Sequence, residues 1–486
     1  MQIQFDNSYA RLPDRFFSRQ KPEPVSKPEL IAVNKPLAEL LGINADWLAS
    51  DEGVSMVAGN SLPPDSEPIA MVYAGHQFGS WNPQLGDGRA VLLGEIVGQD
   101  SFRYDIQLKG SGQTPYSRMG DGRAPLGPVL REYIVSEAMA ALHVPTSRSL
   151  AAVTTGDPVY RETALPGAVL ARVARSHIRI GTTQFFAARQ DLEALHLLVE
   201  HVIYRHYPDI AQAPNPALSL LDKVMRAQAN LVVSWQMLGF IHGVMNTDNM
   251  LLSGETIDYG PCAFMDIYDP ETVYSSIDHG GRYAYRNQPG IAHWNLACLA
   301  QALIPIIEDK AEAATEQAKA AIDQFPNYFL DANMKGLRAK LGLRTKRKDD
   351  ESLAKNLLDM LQQEQADFTL AFRRLAEISG PEPELNVRDT FDFDAAFNDW
   401  LKTWRARCAD EDFPDRQAAM LKTNPAIIPR NHLVEEAIQA ALDGDFSIFE
   451  TLNGVMANPF SLEDTDPKFI LPPRADQIIR QTFCGT

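Results

Sequence analysis

From Phe102 to Leu108 apolar and polar residues alternate: Phe102, Tyr104, Ile106 and Leu108 against Arg103, Asp105 and Gln107. A period of two puts the first set on a buried strand face and the second on the opposite one. Further strands are predicted over 90–97 and around 149–153 and 169–173. Between them a helix is predicted over 128–143, where Leu130, Ile134, Ala138 and Leu142 recur at helical spacing. Beyond Asp191 the helical period takes over, predicting helices over 192–207, 219–242, 294–308, 310–325 and 351–378. In the last of these Leu353, Leu357, Leu361, Phe368, Phe372 and Leu375 form one stripe. The first eighty residues are Pro-rich and irregular apart from a helical patch over 36–41 closed by Gly42, and read as a wrapping segment. The expected class is α+β, divided into a segment 1–80, a β-rich lobe 81–190, a helical lobe 191–400 and an extension 401–486.

Composition narrows the function classes. With 486 residues, 45% of them hydrophobic and 22% charged, the chain can bury a sizeable core. Forty-five Lys and Arg against 63 Asp and Glu leave a net charge of −18, which opposes nonspecific binding to nucleic acid or anionic lipid. An anionic ligand must therefore meet a local basic cluster. Four cysteines without a CxxC pair fit a reducing compartment and no structural zinc. No uninterrupted apolar run of bilayer length and no signal-peptide pattern are found, so a cytoplasmic monomer without nucleic-acid or membrane partners is expected. The basic run 344–348, followed at once by Asp349, Asp350 and Glu351, reads as a solvated helix approach. Gly86-Asp87-Gly88-Arg89-Ala90 recurs as Gly120-Asp121-Gly122-Arg123-Ala124, an echo too short for a repeat architecture.

The most informative segment runs from His242 to Gly260. If Ser253-Gly254 makes a two-residue hairpin turn, Asn249 faces Asp258. Facing residues have Cβ atoms about 4.5–5.5 Å apart, so an amide oxygen and a carboxylate could share one hard cation, Mg2+ or Mn2+, with a nucleotide. The alternative is a buried hairpin whose Asn and Asp make turn hydrogen bonds. A helix, a His, a loop ending in Asn, then Asp258-Tyr259-Gly260 is similar to a protein-kinase catalytic loop with its metal-binding motif. The kinase base would stand five residues before Asn249, where this chain has Val244. Asp248 is the nearest carboxylate that could accept a hydroxyl proton; a solvated loop Asp is the alternative.

Phosphate-binding groups are sought upstream. Lys109 ends the alternating strand, and Glu132 in the next helix is its expected ion-pair partner, with Glu137 as rival. An exposed, unpaired strand-end Lys is the plainer reading. Arg172, Arg175 and Arg179 concentrate positive charge near the lobe junction, either for phosphates or to balance acidic neighbours. Gly86-Asp87-Gly88-Arg89 opens the first strand of the β-rich lobe, as a phosphate-approaching turn or a structural one.

Tyr73-Ala74-Gly75-His76-Gln77-Phe78-Gly79, Gln84 to Ala90, Gln107 to Gly112, Asp121-Gly122-Arg123 and Thr247-Asp248-Asn249 together resemble the selenoprotein O family through nearly the whole chain. The resemblance implies a two-lobed protein-kinase-like fold, with N- and C-terminal extensions, that binds ATP inverted and transfers AMP to Ser, Thr or Tyr hydroxyls of proteins. It implies nucleotide contacts from Gly86, Gly88, Arg89, Lys109, Asp121, Gly122, Arg172 and Arg179, a proton acceptor at Asp248, and metal ligands at Asn249 and Asp258. Asp258 would also contact the nucleotide, Glu132 would support Lys109, and uridylyl transfer could accompany AMP transfer. Cys484 stands third from the end, where eukaryotic members carry selenocysteine, so a redox link between Cys262 and Cys484 is a further expectation. Rival readings are a conventional phosphotransferase and a catalytically silent ATP-binding platform.

Overall fold

The structure, a computed structural model, describes residues 3–379, 395–463 and 465–483. Its first half carries strands β1 Phe17–Arg19, β2 Glu29–Val33, β3 Ile69–Met71, β4 Gly75–Gln77, β5 Ser80–Asn82, β6 Ala90–Val97, β7 Arg103–Lys109, β8 Ala124–Pro125, β9 Arg148–Tyr160 and β10 Ala164–Ala174. Helices α1 Lys35–Leu40, α2 Ala45–Leu48, α3 Asp51–Val57 and α4 Leu126–Ala141 lie among them. The main sheet runs β1-β3-β6-β7-β10-β9-β2, with β8 on β10, and its paired registers are all antiparallel. β4 and β5 form a separate two-stranded ribbon.

The first eighty residues are more than the irregular wrapping expected: β1 and β2 supply the two ends of the sheet, and β3 joins it beside β1. Their strands are three to five residues long, too short for a periodic signal. Residues from α1, α2 and α3 cover one sheet face, clustering with Ile106 and Leu108. The other face of β7 is not solvated as its polar residues suggest. Asp105, Gln107 and Lys109 are all buried, whereas Phe102 at the strand's start is exposed. That face meets α4 and the second half of the chain, and charged partners there satisfy it.

The second half is built from α5 Ile180–Ala188, α6 Leu192–His206, α7 Pro216–Leu238, the short strands β11 Phe240–Ile241 and β12 Ala263–Phe264, α8 Gln288–Ile307, α9 Ala311–Ile322, α10 Phe325–Lys340, α11 Asp350–Gln363, α12 Phe368–Glu377, α13 Ala395–Ala409, α14 Arg416–Thr423, α15 Asn431–Leu442 and α16 Ser447–Met456. The helix expected over 351–378 is two helices. Gln365 takes φ +51 and Asp367 caps the second one by accepting from the Leu370 N–H, so the stripe continues while the axis breaks. The stretch Tyr285–Ile307, where no bilayer-length apolar run was expected, is long and apolar enough by length and composition to span one. Half of its most apolar part is buried, and α8 packs against α5, α7 and α9. Its polar residues brace the loop that follows β11: Gln288 accepts from the His242 N–H (3.0 Å) and Asn295 donates to the Met245 carbonyl (2.8 Å). α15 and α16 return to pack on α4.

Candidate active site

α7 stops at Gly239, whose φ of +70 suits a left-handed C-cap, and β11 then pairs with β12, so residues 242–262 form a loop closed at its base. The expected hairpin within it does not form. Gly254 N–H donates to the Leu251 carbonyl (3.2 Å), but the two arms then part. Leu251 bridges to Arg179 and Thr256 to Thr146. Leu252 N–H bonds Ile178 and Thr256 N–H bonds Pro145, so each arm finds its backbone partners in a neighbouring connection rather than in the other arm. Asn249 and Asp258 are therefore not ladder neighbours, although both line the same cavity. Asp258 sits at φ +71, a strained conformation for a non-glycine residue.

Behind that cavity lies a buried set of charges. Lys109 Nζ lies 2.5 Å from both Glu132 Oε2 and Asp258 Oδ1. Arg172 reaches Glu132 (3.0 Å), Asp258 Oδ1 (3.6 Å) and the amide oxygen of Gln107 (2.5 Å). Glu132 is thus the partner, while Glu137 is held by Arg148 and Asn34. Burial alone would raise the Asp258 carboxyl; Lys109, Arg172 and Arg89 overcome it and hold the group well below the usual carboxylate range. Gln107 donates to Asp87 (3.0 Å), which also pairs with Arg179 (3.3 Å), and the Arg179 guanidinium lies 4.2 Å from the centre of the Tyr73 ring.

The three-arginine cluster does not present one surface. Arg172 and Arg179 are each 3% exposed and tied to carboxylates one layer behind the cavity wall. Arg175 turns to the opposite side, with its guanidinium 3.8 Å from the Phe102 ring centre. The arginines that line the cavity are Arg89, Arg118, Arg123 and Arg161. Arg123 is paired with Glu23 and Arg161 with Asp121, which is itself a lining residue. Gly86, Gly88 and Gly122 line it too. Gly122 has φ +66, and a Cβ there would stand 2.0 Å from the Gly112 carbonyl oxygen, so this close turn requires glycine. Sequence reasoning missed Arg118, Arg161, Tyr116 and Gln77 as wall residues; only the Tyr73 to Gly79 string carried a signal for the last.

The cavity measures about 700 Å3, a size suited to a nucleotide. Asp248 lines it and is 8% exposed. Gln77 donates to its Oδ2 (3.1 Å), and its Oδ1 is buried without a hydrogen-bond partner. Burial pushes this carboxyl up to about 6. Asn249 donates its amide N–H to the Val244 carbonyl (3.0 Å), which leaves its oxygen available to a cation. With Asp258 it makes an all-oxygen donor set of the type Mg2+ or Mn2+ takes. Among the described residues no group of three His, Cys, Asp or Glu side chains could hold a metal, so a cation here would draw further ligands from phosphate and water.

Cys262 is buried and its thiol is pushed up to about 12 by burial; Cys484 lies outside the described residues. The nearest described part of the C-terminal segment runs beside Cys262. Thr482 donates its hydroxyl to the Pro261 carbonyl (2.6 Å) and its N–H to Tyr274 (2.8 Å).

A family model described as protein adenylyltransferase SelO matches residues 1–457. The chain is 56% identical over 485 residues to the protein nucleotidyltransferase YdiU of Bradyrhizobium sp. (strain BTAi1), with 99% of each chain covered. It is 57% identical over 486 residues to the protein of the same description from Rhodopseudomonas palustris (strain BisB5), again with 99% of each covered. The chain belongs to the SelO family of protein adenylyltransferases and is a nucleotidyltransferase with ATP as substrate.

Proposed function

We propose that this enzyme binds ATP in the cavity between the Gly86 turn and the Asp248 loop, inverted relative to kinases, and transfers AMP to Ser, Thr or Tyr hydroxyls. The observation that carries the reading is the pairing of an apolar Val244, where a kinase base would stand, with a carboxylate at Asp248 that lines the cavity and has one oxygen without a hydrogen-bond partner. Asp248 takes the acceptor hydroxyl proton on its carboxylate as the hydroxyl oxygen bonds to the α-phosphorus. The Pα–O–Pβ bond breaks, and pyrophosphate leaves with the bond's electrons. Arg89 and Arg118 line the cavity wall, and their charge would stabilise the leaving group. Lys109 and Arg172 keep Asp258 ionised and oriented. Asn249 and Asp258 would hold Mg2+ or Mn2+, which supplies charge neutralisation on the phosphates when bound. Hydroxyl-bearing proteins are the partners this reading requires.

Parallel assays with α-labelled and γ-labelled ATP test it. Label is expected on protein only from the α position; transfer from γ would indicate the phosphotransferase, and ATP binding without transfer the silent platform. Asp248→Ala should retain ATP binding and lose about 100-fold or more in transfer rate. Parental activity in that variant would refute the assigned proton acceptor.

A further inference from the structure

The ribbon of β4 and β5 has the register Gly75↔Asn82, His76↔Trp81 and Gln77↔Ser80, which leaves Phe78 and Gly79 as a two-residue loop. Their φ angles, +51 and +84, have the signs of a type I′ turn, which matches strand twist and fixes the register. For Phe this conformation costs about 1 kcal/mol. Phe78 is held in it from outside the ribbon. Its N–H donates to Asn246 Oδ1 (3.0 Å), and its ring packs edge-on at 5.1 Å against Tyr283, whose hydroxyl donates to the same oxygen (2.6 Å).

The neighbouring residues make matching contacts. His76 N–H donates to Thr247 Oγ1 (2.7 Å), and Gln77 Nε2 donates to Asp248 Oδ2 (3.1 Å). Three successive ribbon residues thus grip the three successive loop residues 246–248. The grip on Asp248 is one-sided, since Oδ1 is buried without a partner. Gly75 packs against that side: a Cβ there would stand 2.6 Å from Oδ1, so a larger residue would displace the carboxylate. Gln suits position 77 because it donates without charge. A cation would compete for the proton acceptor's electrons, and a carboxylate would repel it.

We infer that Gln77 is a positioning residue which, by holding Oδ2, fixes the orientation of the Asp248 carboxylate toward the acceptor hydroxyl. The inference rests on the reading of Asp248 as proton acceptor. A misplacement of about 1 Å at a reacting group can cost on the order of 100-fold in rate. The rate should therefore depend on Gln77 and nucleotide affinity should not.

The test is steady-state AMP transfer to a protein acceptor from α-labelled ATP, at one fixed pH, for the parent, Gln77→Met, Asp248→Ala and the double variant. Met keeps the side-chain length and removes the donor. Gln77→Met is expected to lower kcat about 10- to 100-fold with KM for ATP within about 2-fold. In the Asp248→Ala background it should change the residual rate by less than about 2-fold, because its target is gone. A parental kcat in Gln77→Met overturns the inference and leaves Asp248 untouched. So does a raised KM at unchanged kcat, which would make Gln77 a nucleotide contact, or a further 10-fold loss in the double variant. Parental activity of Asp248→Ala sinks the reading beneath it instead. Should Gln77→Met fail to fold, Gln77→Asn, one methylene shorter, carries the same comparison.

Discussion

One face of β7 carries two buried charge clusters that differ in a single respect. Around Asp105, Arg205 of α6 bonds Glu95 and Asp105 (both 2.9 Å), His177 donates to Asp105 through its backbone N–H (2.8 Å), and Ser8 and the Tyr9 N–H cover Glu95 (both 2.5 Å). Each carboxylate has several partners and the cluster is closed to solvent. Around Lys109, two residues along the same strand face beyond Gln107, the cations Lys109 and Arg172 again meet two carboxylates, but one of these, Asp258, is 29% exposed on its side chain and borders the cavity. The closed cluster fastens α6 to the sheet. The open one leaves a carboxylate at the wall for a ligand to use. Burial of charge by itself therefore does not mark a functional site; incomplete enclosure does.

The contrast is breakable from the closed side first. Arg205→Met leaves Glu95 and Asp105 without their guanidinium, and stability should fall by about 3–5 kcal/mol in urea denaturation. A loss under about 1 kcal/mol would mean that the cluster does not fasten the lobes. On the open side, Lys109→Met should lower AMP-transfer kcat/KM about 100-fold, or ~2.7 kcal/mol of transition-state stabilisation. Its unfolding free energy should drop by less than half of the Arg205→Met loss, because Arg172 still pairs with Glu132. Equal stability losses in the two variants would erase the distinction.

The smallest expected effect concerns Glu255, which accepts from the Arg175 N–H (3.0 Å) and is pushed up to about 7 by burial. Its folded value lies above its unfolded one. Between about pH 4.5 and 7 the native state keeps a proton that the unfolded state has released, so stability falls as pH rises through that window. Glu255→Gln should remove about 2 kcal/mol of the decline measured between pH 5 and pH 8. An unchanged pH profile would show that Glu255 titrates as an exposed group does.

What the sequence discloses follows the range of the interactions involved. β6 spans the expected 90–97, and α4 and α6 lie within two residues of their expected bounds, because their periodicity is local. Lys109 with Glu132 was readable as a strand-to-helix pairing. The loop carrying Asn249 and Asp258 was misread as a hairpin, since a turn signal at Ser253-Gly254 cannot reveal that Ile178 and Pro145 offer better backbone partners. The ribbon turn that does exist, at Phe78-Gly79, carries a residue type that argues against it locally. Its support comes from Asn246, 168 positions away. Likewise the buried polar face of β7 depends on Arg205 and Arg172, whose positions no single strand pattern encodes.

The short strand β2 has a consequence for how the polypeptide is made. Glu29 pairs with Thr154 and Val33 with Ala151, so the end strand of the sheet has no partner until more than a hundred later residues have left the ribosome. During that interval the emerging stretch exposes unpaired N–H and C=O groups, and such long-range closure is intrinsically slow. Early synthesis is therefore the period when this chain most needs a chaperone's shelter.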